Sequence, residues 1–181
     1  MKRKLFYVWM VLALASTTHA WAKTILPDAC GDDAVKFNVT TTGGPHAPVA
    51  PPEGKAQIVF IENENHMIGA FMYATVRYGI DGAWAGANYS NSYFTLNVEP
   101  GVHHLCASWQ SSIAFKKMID VASFTAEPGK VYYFAADVKV TSTGSGKNDS
   151  NDYDFSLSQL NEDEGKYRVK AWKLSNSKPS K

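Results

Sequence analysis

The chain has 181 residues, 45% of them hydrophobic, 13% aromatic and 19% charged. That mix excludes a disordered chain and leaves room for one domain rather than two. Eighteen Lys and Arg against 17 Asp and Glu leave a formal charge of +1, so neither the basic footprint of a nucleic-acid binder nor a strongly acidic face is present.

The chain opens with Lys2, Arg3 and Lys4, followed by an uninterrupted apolar run, Leu5 to Ala15, and the small-residue pattern Ala20-Trp21-Ala22. This is the layout of a secretory signal peptide. The apolar run is shorter than the roughly 20 residues a bilayer-spanning helix needs. Residues 1–22 are therefore read as a cleaved signal, with a mature chain starting at Lys23 and no stable membrane span after cleavage. Without the three leader positives the balance becomes 15 minus 17, or −2. Cys30 stands behind Pro27-Asp28-Ala29, a poor lipobox, so no lipid anchor is expected. The expected location is exported, either periplasmic or extracellular.

Residues 23–53 read as an N-terminal strand and a Pro-rich connection. Val35, Phe37 and Val39 alternate onto one face. Pro45, Pro48, Pro51 and Pro52 then forbid a helix or a central strand. Residues 54–174 read as the core of the fold. Ala56 to Glu62 is a strand centred on Ile58-Val59-Phe60-Ile61, and a polar loop follows. Tyr73 to Ile80 is a strand ending at the hairpin signal Asp81-Gly82, and Trp84 to Ala87 begins its return. Asn91 to Val98 puts Phe94, Leu96 and Val98 inward. Pro100-Gly101 turns into His103 to Trp109, and Met118 to Ala126 comes next. Pro128-Gly129 turns again into the longest run, Val131 to Val140.

Residues 141–152, rich in Ser, Gly, Asn and Asp, read as a loop. Tyr153, Phe155 and Leu157 alternate as a last strong strand. Asn161 stands three residues before Glu164, a capping-box variant. Leu160, Tyr167, Ala171 and Leu174 have helical spacing, while Gly165 counts against a helix. A short C-terminal helix and a final edge strand both fit. Residues 175–181 read as a polar tail. Strands divided by regular turns favour an all-β fold, an antiparallel β-sandwich of about seven to eight strands, over βαβ units.

Two cysteines, Cys30 and Cys106, remain in the mature chain. An even count in an exported chain points to a disulfide between them. The alternative is two buried thiols. The bridge would close 106 minus 30, or 76, residues, which chain entropy values at roughly 4 kcal/mol.

Candidate chemistry is sparse. His103 and His104 are adjacent in a strand and face opposite sides. One is expected to pack and the other to be exposed, and they cannot readily share a metal. His46 and His66 lie in loops without ligand spacing. Cys106 and His104 share a face, the sharpest enzyme hypothesis, but an oxidising compartment favours the disulfide. No G-x-S-x-G elbow, phosphate loop or dinucleotide fingerprint occurs. Asp149 to Asp154 offers part of a calcium set that reads better as a solvated turn. No metal and no cofactor are expected. Trp84, Trp109, Trp172, Tyr89 and Tyr93 fit either a carbohydrate or peptide platform or a core. Trp109 is assigned to the core. Asp81, Trp84 and Tyr89, on the hairpin at Asp81-Gly82, form the candidate ligand surface.

One ordered set of motifs goes further. It runs Gly54-Lys55-Ala56-Gln57-Ile58-Val59-Phe60, Gly79-Ile80-Asp81-Gly82-Ala83-Trp84, Asn91-Ser92-Tyr93-Phe94, Val98-Glu99-Pro100-Gly101-Val102-His103-His104-Leu105-Cys106 and Glu127-Pro128-Gly129-Lys130-Val131-Tyr132-Tyr133-Phe134. Over about residues 54–140 this order resembles the bacterial secreted family known as domain of unknown function 2846. The resemblance implies a β-sandwich, often exported or lipid-anchored, with no established activity and no catalytic residues to carry over. The resulting expectation is a non-enzymatic binding or cell-envelope-associated module with an unknown envelope or extracellular partner. The rival is a hydrolase-like enzyme with a His-containing site. Replacing both histidines is expected to spare partner binding, whereas breaking the Asp81-Gly82 turn is not.

Overall fold

In the computed structural model, residues 26–44, 50–63, 75–110, 118–143 and 150–180 are described. Residues 1–22, read above as a signal, the Pro45 to Val49 stretch with His46, His66 and Asp149 lie outside them. Alternation and turn chemistry resolve into β1 (Lys36–Thr42), β2 (Ala56–Asn63), β3 (Thr75–Ile80), β4 (Ala83–Tyr89), β5 (Ser92–Val98), β6 (Gly101–Trp109), β7 (Ile119–Ala126), β8 (Val131–Thr143), β9 (Ser150–Leu160), α1 (Glu162–Ala171) and β10 (Lys173–Ser180). They form a six-stranded sheet, β1-β10-β5-β2-β8-β9, and a four-stranded sheet, β4-β3-β6-β7. The fold is the expected all-β sandwich.

It has ten strands among the described residues rather than seven to eight, and its larger sheet is mixed. The four-stranded sheet is antiparallel throughout. In the larger sheet β2 runs parallel to β8 and β10 parallel to β5. A parallel pair needs a long crossover. Here β5 and all four strands of the second sheet lie between β2 and β8 in the chain.

The apolar run Ile58 to Ile61 is buried on both faces of β2. Ala56, Ile58 and Phe60 point between the sheets with Tyr78, Leu105 and Phe134. Val59 and Ile61 point outward, where Tyr93, Tyr133, Ala135 and Val169 of α1 cover them. Tyr132 and Tyr133 accordingly belong to opposite faces of β8.

The helix alternative for the C-terminal segment is realised and is followed by a strand. Asn161 caps α1 by accepting the Glu164 N–H at 2.9 Å, and Glu162, Asp163 and Glu164 sit in the positive first turn. Gly165, counted against the helix, is what lets it dock. A Cβ there would collide with the Tyr133 ring.

Residues 175–180 are not a tail. They are the body of β10, paired with β1 from Thr42↔Leu174 to Lys36↔Ser180. This strand is held by polar contacts that hydropathy does not register: Ser175 Oγ lies 2.7 Å from Ser92 Oγ, and Ser177 Oγ accepts the Ala87 N–H of β4 at 3.0 Å.

Side chains also close the strand edges between the two sheets. Gln110 accepts the Phe37 N–H at 2.6 Å and donates to the Phe37 carbonyl at 2.8 Å, as a neighbouring strand would. At the opposite seam Asp120 accepts the N–H of Val121 on β7 at 2.8 Å and of Leu157 on β9 at 2.7 Å. Edges occupied in this way are poor templates for another strand.

Candidate functional site

Strand alternation on β6 sends Val102, His104, Cys106 and Ser108 to the outer face of the four-stranded sheet, and His103, Leu105, Ala107 and Trp109 inward. Residues 27–35 cross that outer face. Cys30 and Cys106 form a disulfide there with a Cα–Cα distance of 5.1 Å, and both cysteines are buried. The sequence pairing is therefore realised, and Cys106 is not a thiol available to His104. The crossing is close: a Cβ on Gly79 would sit 3.0 Å from the Ala29 carbonyl oxygen.

Arg77 fastens the far end of this segment. It is 2% exposed. It donates to the Val35 carbonyl at 2.6 Å, the Asp33 carbonyl at 3.2 Å, Asp33 Oδ1 at 3.3 Å and Ser108 Oγ at 3.1 Å. Its guanidinium carbon lies 4.3 Å from the centroid of the Trp84 ring. Burial pulls the Arg77 pKa down from its ordinary value, against the hydrogen bond and charge of Asp33. Sequence reasoning missed Arg77. An Arg alternating with Val76 and Tyr78 reads as the wet side of a half-buried strand. The nearby Gly79 and Gly82 were the available hint that another chain segment crosses here.

The candidate ligand surface separates into three environments. Trp84 is half-buried, and its indole N–H donates to the Asp32 carbonyl at 2.7 Å, so it anchors residues 27–35. Tyr89 sits at the far end of β4, opposite Thr75. Its backbone N–H and carbonyl are both bridged by Ser92 Oγ, at 3.1 and 2.9 Å. Asp81 is at the other end, in the hairpin turn. The structure does not bring the three side chains to one point.

What gathers around Asp81 is different. Asp81 and Gly82 both have positive φ, +49° and +89°, the two-residue hairpin geometry that favours Asp-Gly. From this conformation the short Asp81 side chain reaches sideways to β6. Its Oδ1 accepts the His104 N–H at 2.9 Å, and its Oδ2 lies 2.6 Å from His103 Nδ1. The Asp81 N–H donates to the His104 carbonyl at 2.9 Å, and the Gly82 N–H to the Ala29 carbonyl at 3.3 Å. On the other side of the imidazole, Nε2 lies 2.8 Å from the Glu99 carbonyl oxygen. The ring faces Phe124, with centroids 5.8 Å apart. The Glu99 carboxylate pairs with Lys55.

Of the two histidines one packs and one is exposed, as alternation requires. His103 is in contact with the Asp81-Gly82 turn, because β3 and β6 are sheet neighbours and the turn residue lands beside it. Burial alone would lower the His103 pKa, but the contacts to the Glu99 carbonyl and Asp81 raise it above 6.5 overall. Burial would raise that of Asp81, but the His104 N–H and the His103 ring hold it below 3.8.

Trp109 packs against the central core, as assigned, and Tyr93 against the helix-side core. Trp172 lies under Arg168, with the guanidinium carbon 5.4 Å from the ring centroid. Among the described residues no three His, Cys, Asp or Glu side chains are grouped to hold a metal ion. Among the same residues no helix is long and apolar enough to cross a membrane. No family model, curated protein or solved structure matches the chain.

Proposed function

We propose that this protein is an exported, non-enzymatic binding or cell-envelope-associated module that presents the Asp81-Gly82 end of its four-stranded sheet. The observation that carries this reading is the bracing of that turn. It is tied to β6 through Asp81 and to the N-terminal segment through Gly82, yet the Asp81 side chain remains 46% exposed. Polar groups held on a rigid turn bind with little ordering cost. A buried disulfide suits an oxidising compartment, and the resemblance to an exported family without known activity points the same way.

The hydrolase-like reading draws on one observation, the His103–Asp81 contact at 2.6 Å. A general base needs a ring nitrogen within reach of the proton it takes. His103 Nε2 already faces the Glu99 carbonyl at 2.8 Å, which weighs against that role.

Export is tested by N-terminal sequencing of secreted material, which should begin at Lys23, whereas a retained Met1 would overturn it. Binding is tested by capture of native-host envelope components on immobilised protein. The variant Asp81→Ala should lose a specific captured component that His104→Ala retains. Hydrolysis of ester or peptide substrates that disappears in His103→Gln would establish the enzyme reading instead.

A further inference from the structure

The two acceptors around His103 constrain its protons. Oδ2 of Asp81 belongs to a carboxylate and the Glu99 oxygen to a backbone carbonyl, at 2.6 and 2.8 Å from Nδ1 and Nε2 respectively. Neither atom is a donor. A neutral imidazole carries one N–H and can satisfy only one of them, leaving a lone pair facing an oxygen at hydrogen-bond distance. An imidazolium satisfies both. The ring is also well enclosed, its side chain 13% exposed, so water does not readily substitute for a lost partner.

We propose that His103 is a proton-operated latch: with both ring nitrogens protonated it ties the Asp81-Gly82 turn to the Glu99-Pro100 turn, and loss of one proton to solvent leaves a neutral ring that can hold only one of the two. The device goes beyond the binding reading and stands whatever the turn contacts.

Its surroundings contain few competing charges. The β3–β4 turn contributes Asp81. The β5–β6 turn contributes Glu99, whose carboxylate is engaged by Lys55 from the segment before β2. β7 presents the uncharged Phe124 ring, backed by Tyr132 of β8 at 4.8 Å. On β6 itself His104 turns its ring to the opposite face and lends its N–H to Asp81 Oδ1. The N-terminal segment brings the Asp28 carbonyl, 3.2 Å from a Cβ placed on Gly82. Among the described residues, the one full negative charge in direct contact with the ring is thus Asp81. The strength of that contact follows the protonation of His103 at the pH values an exported protein meets.

The test is a pH titration of the isotopically labelled, disulfide-intact protein by nuclear magnetic resonance. The His103 ring should titrate with a midpoint above 6.5 and hold protons on both nitrogens below it. The Asp81 carboxyl carbon and the His104 backbone amide should move with that same midpoint. In Asp81→Asn, which keeps an oxygen for the His104 N–H and tolerates the left-handed turn, the midpoint should fall by about one unit, a tenfold loss of proton affinity. A wild-type midpoint at or below 6.5, a proton resident on the Asp81 carboxyl instead, or a midpoint unmoved in Asp81→Asn would overturn the latch. If near-ultraviolet circular dichroism shows that variant unfolded, the wild-type midpoint and its shared signals decide alone.

Discussion

Arg77 and His103 hold two parts of the chain to the same sheet by opposite strategies. Arg77 grips residues 33–35 on the outer face with a permanent charge, four hydrogen-bonded contacts and 2% exposure, a few residues from a disulfide. His103 grips a turn on the inner side with a charge that comes and goes, against a carboxylate 46% exposed. The first attachment is insensitive to pH over the range in which the second changes. The difference indicates which part of the molecule is built to stay and which can respond.

The largest effect is expected from the permanent side. The double variant Cys30→Ala with Cys106→Ala should lose roughly 4 kcal/mol of unfolding free energy by denaturant melt. A loss no larger than that of a surface substitution would show that Arg77 alone secures the segment. Arg77→Met should lose about 3 kcal/mol, because Ser108 and the Val35 and Asp33 carbonyls are left without their donor in a buried site. That loss should be equal at pH 6 and pH 9, where Arg77 stays charged and its partner Asp33 stays ionised. Gly79→Ala should lose about 1–2 kcal/mol by pushing against the Ala29 carbonyl, with protease sensitivity rising in residues 27–35.

The smallest effect belongs to His103 and carries the pH signature. A group whose pKa is raised on folding stabilises fully below its unfolded value and loses that contribution as pH climbs through the folded one. His103, raised above 6.5, therefore stabilises at pH 6 and fades as pH rises through its folded pKa. Asp81, lowered below 3.8, loses its contribution only in strong acid. His103→Gln should cost under about 1 kcal/mol at pH 6, since solvent screens the half-exposed Asp81, and less at pH 9. A deficit that grows with pH would reverse the assignment of roles.

The C-terminal residues show why part of the fold could be read beforehand. Phe155 and Leu157 announce β9 because every second side chain is apolar. Ser175, Ser177 and Pro179 of β10 carry no such alternation, because that strand is held by hydroxyls and by backbone pairing with β1. Gly165 misleads in the other direction. Its propensity is poor, yet the helix needs it to clear Tyr133. Of the site, the turn at Asp81-Gly82, the pairing of Cys30 with Cys106 and the opposed faces of His103 and His104 are all legible, while the scattering of Asp81, Trp84 and Tyr89 is not.

Local chemistry alone therefore determined that this chain is mostly strand and turn, where its hairpins bend and which side of its alternating strands is apolar, since those properties depend on neighbours one to four residues away. Only the tertiary structure decided that β2 lies parallel to β8, that residues 27–35 cross over Arg77, and that Asp81 meets His103. Each of these joins segments more than 20 residues apart in the chain, and their pairing depends on which surfaces fit once the sheets have stacked.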